Sequence, residues 1–455
     1  MLHQMSGHIS ETGFRRRGWL DVVRGVALFV FAFAHLQDLV PALLPASLIL
    51  VAVVYLPDLQ FYKRINVELV LSSCFAAYIL ALIFVNGYFA DGTAVDLVKK
   101  SPRLVYVFGV AALFACIRPT VRLEPLLVRS MLLASGIISI ASLYSFFVNR
   151  VAVGDTYLTS GEFIIGLMGA KNPAAACFAT VFVFAVAAWL HDFEGNLPKF
   201  RFRGFLLLLG ITFLAFALCK SRGWLVGVVP MFAIVAVRIV VRAPRRLGTI
   251  ALVTAVVVAG GVAATLARSS SQAENNVSIR KRLWVRAANL ISQSPIIGIG
   301  PGTFEQQHVR MHVIVPNIVS LRRSGHDVKS PEFDDPNGGA HPHNSYLQTV
   351  LEFGFVGAAF YAALAAQIAC RAVYAVRIRT HSPGVVDVVR QHAIFHSTAI
   401  MLVSVVLMVA GVSEGYTFIG PMQIVYFGVS AGRLVAMTEF LRAAEKSRNP
   451  TSHGV

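Results

Sequence analysis

Along this chain, long apolar blocks alternate with short polar punctuation. Blocks long enough to cross about 30 Å of hydrocarbon as helices begin near residues 19, 39, 65, 104, 127, 163, 204, 223, 247, 345, 392 and 418. The pattern predicts an all-α polytopic membrane protein with about twelve transmembrane helices. One polar stretch interrupts the rhythm, and it divides the chain into helices 1–9 over residues 1–267, a long loop with short helices over 268–343, and helices 10–12 with a tail over 344–455. Within the loop, Ser269 to Asn276 reads as a linker, and the spacing of Ile279, Leu283, Ala287 and Leu290 predicts a helix over 279–292. Pro295 ends that helix, the glycines of 298–302 predict a tight turn, and 329–339 predicts loop.

Composition agrees with the pattern. With 56% hydrophobic residues, 14% charged and a mean hydropathy of +0.67, the chain is too apolar for a soluble domain. The polar start followed by Arg15-Arg16-Arg17 and an apolar block without a small-residue cleavage pattern predicts an uncleaved first helix.

A net charge of +17 raises the question of nucleic acid, but the basic residues form short clusters between apolar blocks and lack interleaved aromatics. No nucleic-acid partner is expected. Threading twelve spans from a cytoplasmic N-terminus puts Arg15–Arg17, Lys63, Arg64, Arg118, Arg122, Arg129, Lys199, Arg201, Arg203, Arg242, Arg245, Arg246, Arg371, Arg377, Arg379, Arg390 and Arg442 on one side. By the positive-inside rule that side is cytoplasmic, and it attracts anionic membrane lipids. The long loop then faces outward.

Several familiar chemistries are missing. The five cysteines show no CxxC spacing, and no G-x-S-x-G, Walker A or GxGxxG motif occurs. Neither a cofactor nor a metal is expected, since Glu332, Asp334 and Asp335 stand in a Pro/Gly-rich stretch and hard cations need several convergent oxygens.

Four groups on the outer side run against the charge rule. They are Lys220-Ser221-Arg222 between the seventh and eighth spans; Lys171-Asn172-Pro173 inside the sixth block, where the proline is expected to break the helix and turn Lys171 toward a cavity; the cationic turn Arg280 to Arg286 with Trp284; and His341-Pro342-His343-Asn344. Snorkelling anchors and a solvated charged face are the structural explanations for such residues. Taken together on one face, they describe a cationic pocket with one base, suited to an anionic lipid-linked substrate. Nearby cations disfavour imidazolium, so the histidine stays neutral and able to accept a proton.

The order and spacing of these residues resemble the O-antigen ligase and polymerase superfamily over about residues 160–420. The likeness rests on Arg222 after an apolar helix, Arg280 with Trp284, Ser294-Pro295-Ile296-Ile297-Gly298-Ile299-Gly300-Pro301-Gly302-Thr303-Phe304, and His343-Asn344 followed by Gly354 and Gly357. It implies a GT-C-like inner-membrane glycosyltransferase with its active site on the periplasmic face, using neither nucleotide sugar nor metal. In the ligase branch a glycan moves from undecaprenyl diphosphate to a sugar hydroxyl of lipid A-core, with inversion. Carried onto this chain, His343 is the general base, Arg222 and Arg280 hold the diphosphate, and Lys171, Lys220, Arg282, Trp284 and Asn344 complete substrate binding. Arg282 and Arg286 compete with Arg280, and His341 with His343. Val226 departs from the leucine common in the family. A repeat-unit polymerase, a protein O-oligosaccharyltransferase and a lipid-linked sugar transporter are the alternatives.

Overall fold

The structure, a computed structural model, describes residues 11–33, 43–59, 67–89, 102–120, 122–149, 159–160, 163–164, 171–193, 202–219, 221–242, 270–300, 304, 344–378, 385–412 and 421–448. Helices fill them. In chain order these are α1 (Glu11–Ala32), α2 (Leu43–Val54), α3 (Val67–Phe89), α4 (Pro102–Cys116), α5 (Leu123–Tyr144), α6 (Lys171–Phe193), α7 (Phe202–Leu218), α8 (Arg222–Arg242), α9 (Ser270–Gln293), α10 (Ser345–Arg377), α11 (Val385–Gly411) and α12 (Pro421–Arg448). A two-residue antiparallel ladder pairs Thr159 with Ile164 and Ser160 with Phe163. The apolar block that starts near 247 lies outside the described residues.

The protein is a membrane protein by the length and hydropathy of its helices. Leu123–Phe147, Ala174–His191, Ser345–Arg377 and Val386–Gly411 are each long and apolar enough to cross a bilayer, and shorter apolar helices include Leu43–Val54 and Gly223–Arg238. Two boundaries differ from the sequence pattern. Helix α6 starts at Lys171, not near 163, so Pro173 falls in its first turn, where a missing N–H breaks no helical bond. Helix α9 starts at Ser270, so the stretch read as a linker is helical; it stops at Gln293, two residues before Pro295.

Helix α6 runs through the middle of the bundle. Its small residues, Ala174–Ala176, Ala179, Ala185, Ala187 and Ala188, are buried, and they let α7, α11 and α12 pack closely around it. Helix α10 is largely exposed along its apolar surface, as expected of a helix facing lipid.

Two buried ion-pair clusters tie the first third of the chain to its last helices. Arg433 on α12 donates from Nε to Glu124 Oε1 on α5 at 2.8 Å and from Nη1 to the carbonyls of Phe114 and Ile117 at 2.9 and 2.6 Å, which caps the open end of α4. His396 Nε2 on α11 lies 3.2 Å from the other Glu124 oxygen. In the second cluster Arg371 on α10 grips Glu68 on α3 with two parallel bonds of 2.6 and 3.0 Å, and also reaches Glu439 on α12. Charges this deep in an apolar bundle persist because each is paired.

Candidate active site

Helix α9 is amphipathic, and its apolar seam of Leu283, Ala287 and Leu290 packs on Leu351 of α10 and on Phe304. After Gln293 the chain turns. Ser294 Oγ donates to the Gly298 carbonyl at 2.8 Å, and Gly298 N–H returns to the Ser294 carbonyl at 3.0 Å. Gly298 and Gly300 hold φ of +73° and +92°, values that side chains strongly disfavour.

This turn is spliced into a break in α10. At Gly354 the helix leaves helical geometry with φ +63° and ψ −171°, which strips the neighbouring peptide groups of their partners. The turn supplies new ones. Ile299 and Gly300 N–H donate to the carbonyls of Leu351 and Glu352 at 2.8 and 2.9 Å; Phe355 and Val356 N–H donate to the carbonyls of Pro295 and Ile296 at 2.8 and 3.1 Å. From α3, the Tyr78 hydroxyl reaches the Phe353 carbonyl at 2.8 Å and the Ile297 carbonyl at 3.1 Å. Irregular backbone at membrane depth survives only where protein satisfies it. What approaches the backbone at Gly354 is this turn and not another helix.

The half of α10 ahead of the break carries the polar signature. Asn344 is its N-cap, with Oδ1 accepting from Tyr346 and Leu347 N–H at 3.0 Å each. Tyr346 Oη donates to the Met408 carbonyl at 2.8 Å, fixing this first turn to the last turn of α11. Gln348 donates to buried Glu352 at 2.9 Å. The remainder of α10, Phe355–Arg377, is about 34 Å long at 1.5 Å per residue and spans the hydrocarbon by itself.

Arg222 is the first residue of α8. Helix α8 runs antiparallel to α11: Gly227 abuts the Val406 carbonyl and Ala410, and further along Arg238 bonds to Thr398 at 3.0 Å. Gly227 in the second turn of α8 and Tyr346 in the first turn of α10 thus each contact the last two turns of α11. Val226 is exposed, so its departure from leucine leaves the bundle unchanged.

On α9 the structure separates the arginines. At 100° per residue, Arg280 and Trp284 lie on one edge of the apolar seam and Arg286 on the other. Arg280 is half-buried and engaged in an interaction of its own. Trp284 Nε1 is buried with no hydrogen-bond partner among the described residues. Arg286 places its guanidinium over the Phe304 ring at 5.1 Å, and burial lowers its pKa. Lys220 and His343 lie outside the described residues, as do the side chains of Lys171, Arg222 and Arg282. Among the described residues no three His, Cys, Asp or Glu side chains gather into a metal-sized cluster.

The span from α7 through the α9 turn to the broken start of α10 is also where a known family aligns. Residues 205–362 match the O-antigen ligase family (Wzy_C). Members of this family are glycosyltransferase-like enzymes whose substrates in general are lipid-linked polysaccharide and lipid A-core. No curated protein matches the chain. The O-antigen ligase match stops shortly after Gly354, so it contains the splice but neither Tyr78 nor the α11 turn that braces the site. Sequence reasoning missed both braces. Tyr78 is one tyrosine in an apolar helix, and nothing local distinguishes it; Glu352, a carboxylate inside an apolar block, was passed over as well.

Proposed function

We propose that this protein is an O-antigen ligase of the bacterial inner membrane that moves a glycan from undecaprenyl diphosphate to a sugar hydroxyl of lipid A-core on the periplasmic face. The observation that carries this reading is the meeting of α8, α10 and α11 at one end of the bundle. Helix α8 opens at Arg222 and meets Val406 and Ala410 of α11 through Gly227 in its second turn, while α10 opens just after His343 and Asn344 and meets Met408 of α11 through Tyr346. The family match covers α8, α9 and the start of α10.

In this reading His343 removes the proton from the acceptor hydroxyl, which attacks the anomeric carbon from the face opposite the diphosphate and inverts it. Arg222 and Arg280 take up the charge that develops on the leaving diphosphate. Lys171, Lys220, Arg282, Trp284 and Asn344 orient the two substrates. A positioned base typically contributes about 10²- to 10⁴-fold, and fixed charges in a partly dry site contribute at least as much. Electrostatics supply the Lewis-acid role, so the reaction proceeds without a metal. The same reading takes the architecture as GT-C-like with about twelve spans, and with 268–343 on the outer face.

The test uses purified protein, a defined undecaprenyl-diphosphate glycan and lipid A-core, in EDTA. A ligase yields the enlarged lipid A-core product, and His343→Ala abolishes it. Lengthening of the repeat units without transfer would move the protein to the polymerase branch.

A further inference from the structure

We infer that Arg286 is a phosphate-binding residue of this site, distinct from Arg222 and Arg280, and that it donates side-on through Nε and Nη2. The inference rests on the glycosyltransferase reading above for the identity of its ligand, a phosphate group at the membrane surface. Both Nε and Nη2 of Arg286 are buried, and neither has a hydrogen-bond partner among the described residues. These two nitrogens form one edge of the guanidinium fork, the edge that donates two parallel bonds to a pair of phosphate or carboxylate oxygens. The Phe304 ring, 5.1 Å away, covers the face of the guanidinium and fixes its plane.

Among the described residues, the carboxylate on the facing segment of α10 is already committed. Glu352 sits opposite the same turn, but its Oε1 accepts from Gln348, and it has a further interaction of its own. A half-buried guanidinium with an unused bidentate edge is costly in the empty protein, which is the physical reason that burial lowers its pKa. An arriving phosphate removes that cost. Arg280, on the opposite edge of the seam, is engaged elsewhere in the protein. The two edges of α9 therefore do different work: Arg280 and Trp284 flank one side of the seam, and Arg286 waits on the other beside the turn that is spliced to α10.

The phosphate could belong to the prenyl diphosphate donor or to an anionic phospholipid. The experiment separates these sources. Full-length protein in neutral-lipid nanodiscs is titrated with farnesyl diphosphate and, separately, with phosphatidylglycerol, and its melting temperature is measured with no added ligand. The variants are Arg286→Met, Arg286→Lys and, as a control, Lys281→Met, which removes an exposed cation from the far side of α9. The expected result for Arg286→Met is a loss of affinity of tenfold or more together with an unchanged or higher melting temperature, because an unpaired buried charge has been replaced by an apolar chain of similar length. Arg286→Lys recovers only part of the affinity, and Lys281→Met binds as wild type.

Loss confined to farnesyl diphosphate assigns the donor, and loss confined to phosphatidylglycerol assigns a lipid headgroup. Wild-type affinity in Arg286→Met for both probes overturns the inference, as does a wild type that binds neither. A lower melting temperature in Arg286→Met also overturns it, since that is the mark of an arginine held by a partner in the protein. Binding is read apart from transfer, so a protein that binds through Arg286 but makes no lipid A-core product refutes the ligase reading alone.

Discussion

Gly298 and Gly354 meet backbone to backbone. A Cβ on Gly298 would stand 2.6 Å from the Glu352 carbonyl group, and one on Gly354 would run into the Ile296 carbonyl. This contact sets the register between α9, which carries the arginines, and the part of α10 that begins after His343. Four backbone hydrogen bonds between the turn and α10 depend on it.

Gly354→Ala therefore carries two penalties, a side chain at positive φ and a collision with main chain that cannot rotate away. Together they amount to about 2–5 kcal/mol. The expected outcome is a sharp fall in yield of folded protein, read by size-exclusion chromatography in detergent. Gly298→Ala should behave alike, and a well-folded, fully stable Gly354→Ala protein would contradict the splice.

Tyr78→Phe removes only the hydroxyl that ties α3 to the Phe353 and Ile297 carbonyls. The stability cost is about 0.5–1.5 kcal/mol. Because the hydroxyl spends its bonds on the main chain of the break, catalytic rate should drop while apparent substrate affinity holds. Steady-state kinetics in nanodiscs separates the two, and an unchanged rate argues against any brace.

Asn344 distinguishes capping from substrate contact. Asn344→Ala loses the bonds to the Tyr346 and Leu347 N–H groups, at about 1 kcal/mol, whereas Asn344→Asp keeps an equivalent cap oxygen. If capping is its whole role, Asn344→Asp retains transfer activity close to wild type. If its amide also binds sugar, Asn344→Asp is stable yet slow; melting temperature and rate measured on the same sample decide.

The Arg433–Glu124 pair predicts an asymmetric result. Glu124→Gln leaves Arg433 buried beside a neutral amide, and loss of one partner from such a pair costs about 3–5 kcal/mol. Arg433→Leu also strips the cap from the Phe114 and Ile117 carbonyls. The double change Glu124→Gln with Arg433→Leu should be milder than the sum of the singles. Thermal melts of the three variants check this, and strict additivity would mean that the charges do not interact.

Helix positions were legible in the sequence because hydrocarbon thickness imposes a length on each apolar block; the described helices overlap those blocks, although α6 starts at Lys171 and the block near 247 lies outside the described residues. The errors came from polar signals with two meanings. Pro173 serves as a helix breaker inside a helix and as a good first-turn residue, and only the packing of α6 shows which holds. The serine-rich start of α9 reads as linker by composition, yet it extends a helix anchored by its seam further on. At the site, the glycines of 298–302 were readable as local turn chemistry, whereas Asn344, expected to bind substrate, gave no sign in the sequence that it caps α10. The partners across the fold were not readable either, because Tyr78 lies 275 residues from Phe353 and no local pattern encodes such a contact.

The two buried ion-pair clusters bear on how the chain is assembled as it is made. Glu68 and Glu124 leave the ribosome long before Arg371 and Arg433, their partners 303 and 309 residues downstream. Until α10 and α12 insert, each carboxylate sits in an apolar helix without its cation, a state the bilayer tolerates only with a bound proton or with the helix end held near the headgroups. The wait of Glu68 ends when α10 brings Arg371, and that of Glu124 only when α12 brings Arg433; α12 also adds Glu439 to the Arg371 cluster. A chain truncated before α12 would leave both clusters incomplete, and a membrane quality-control protease would meet them as exposed polar helices.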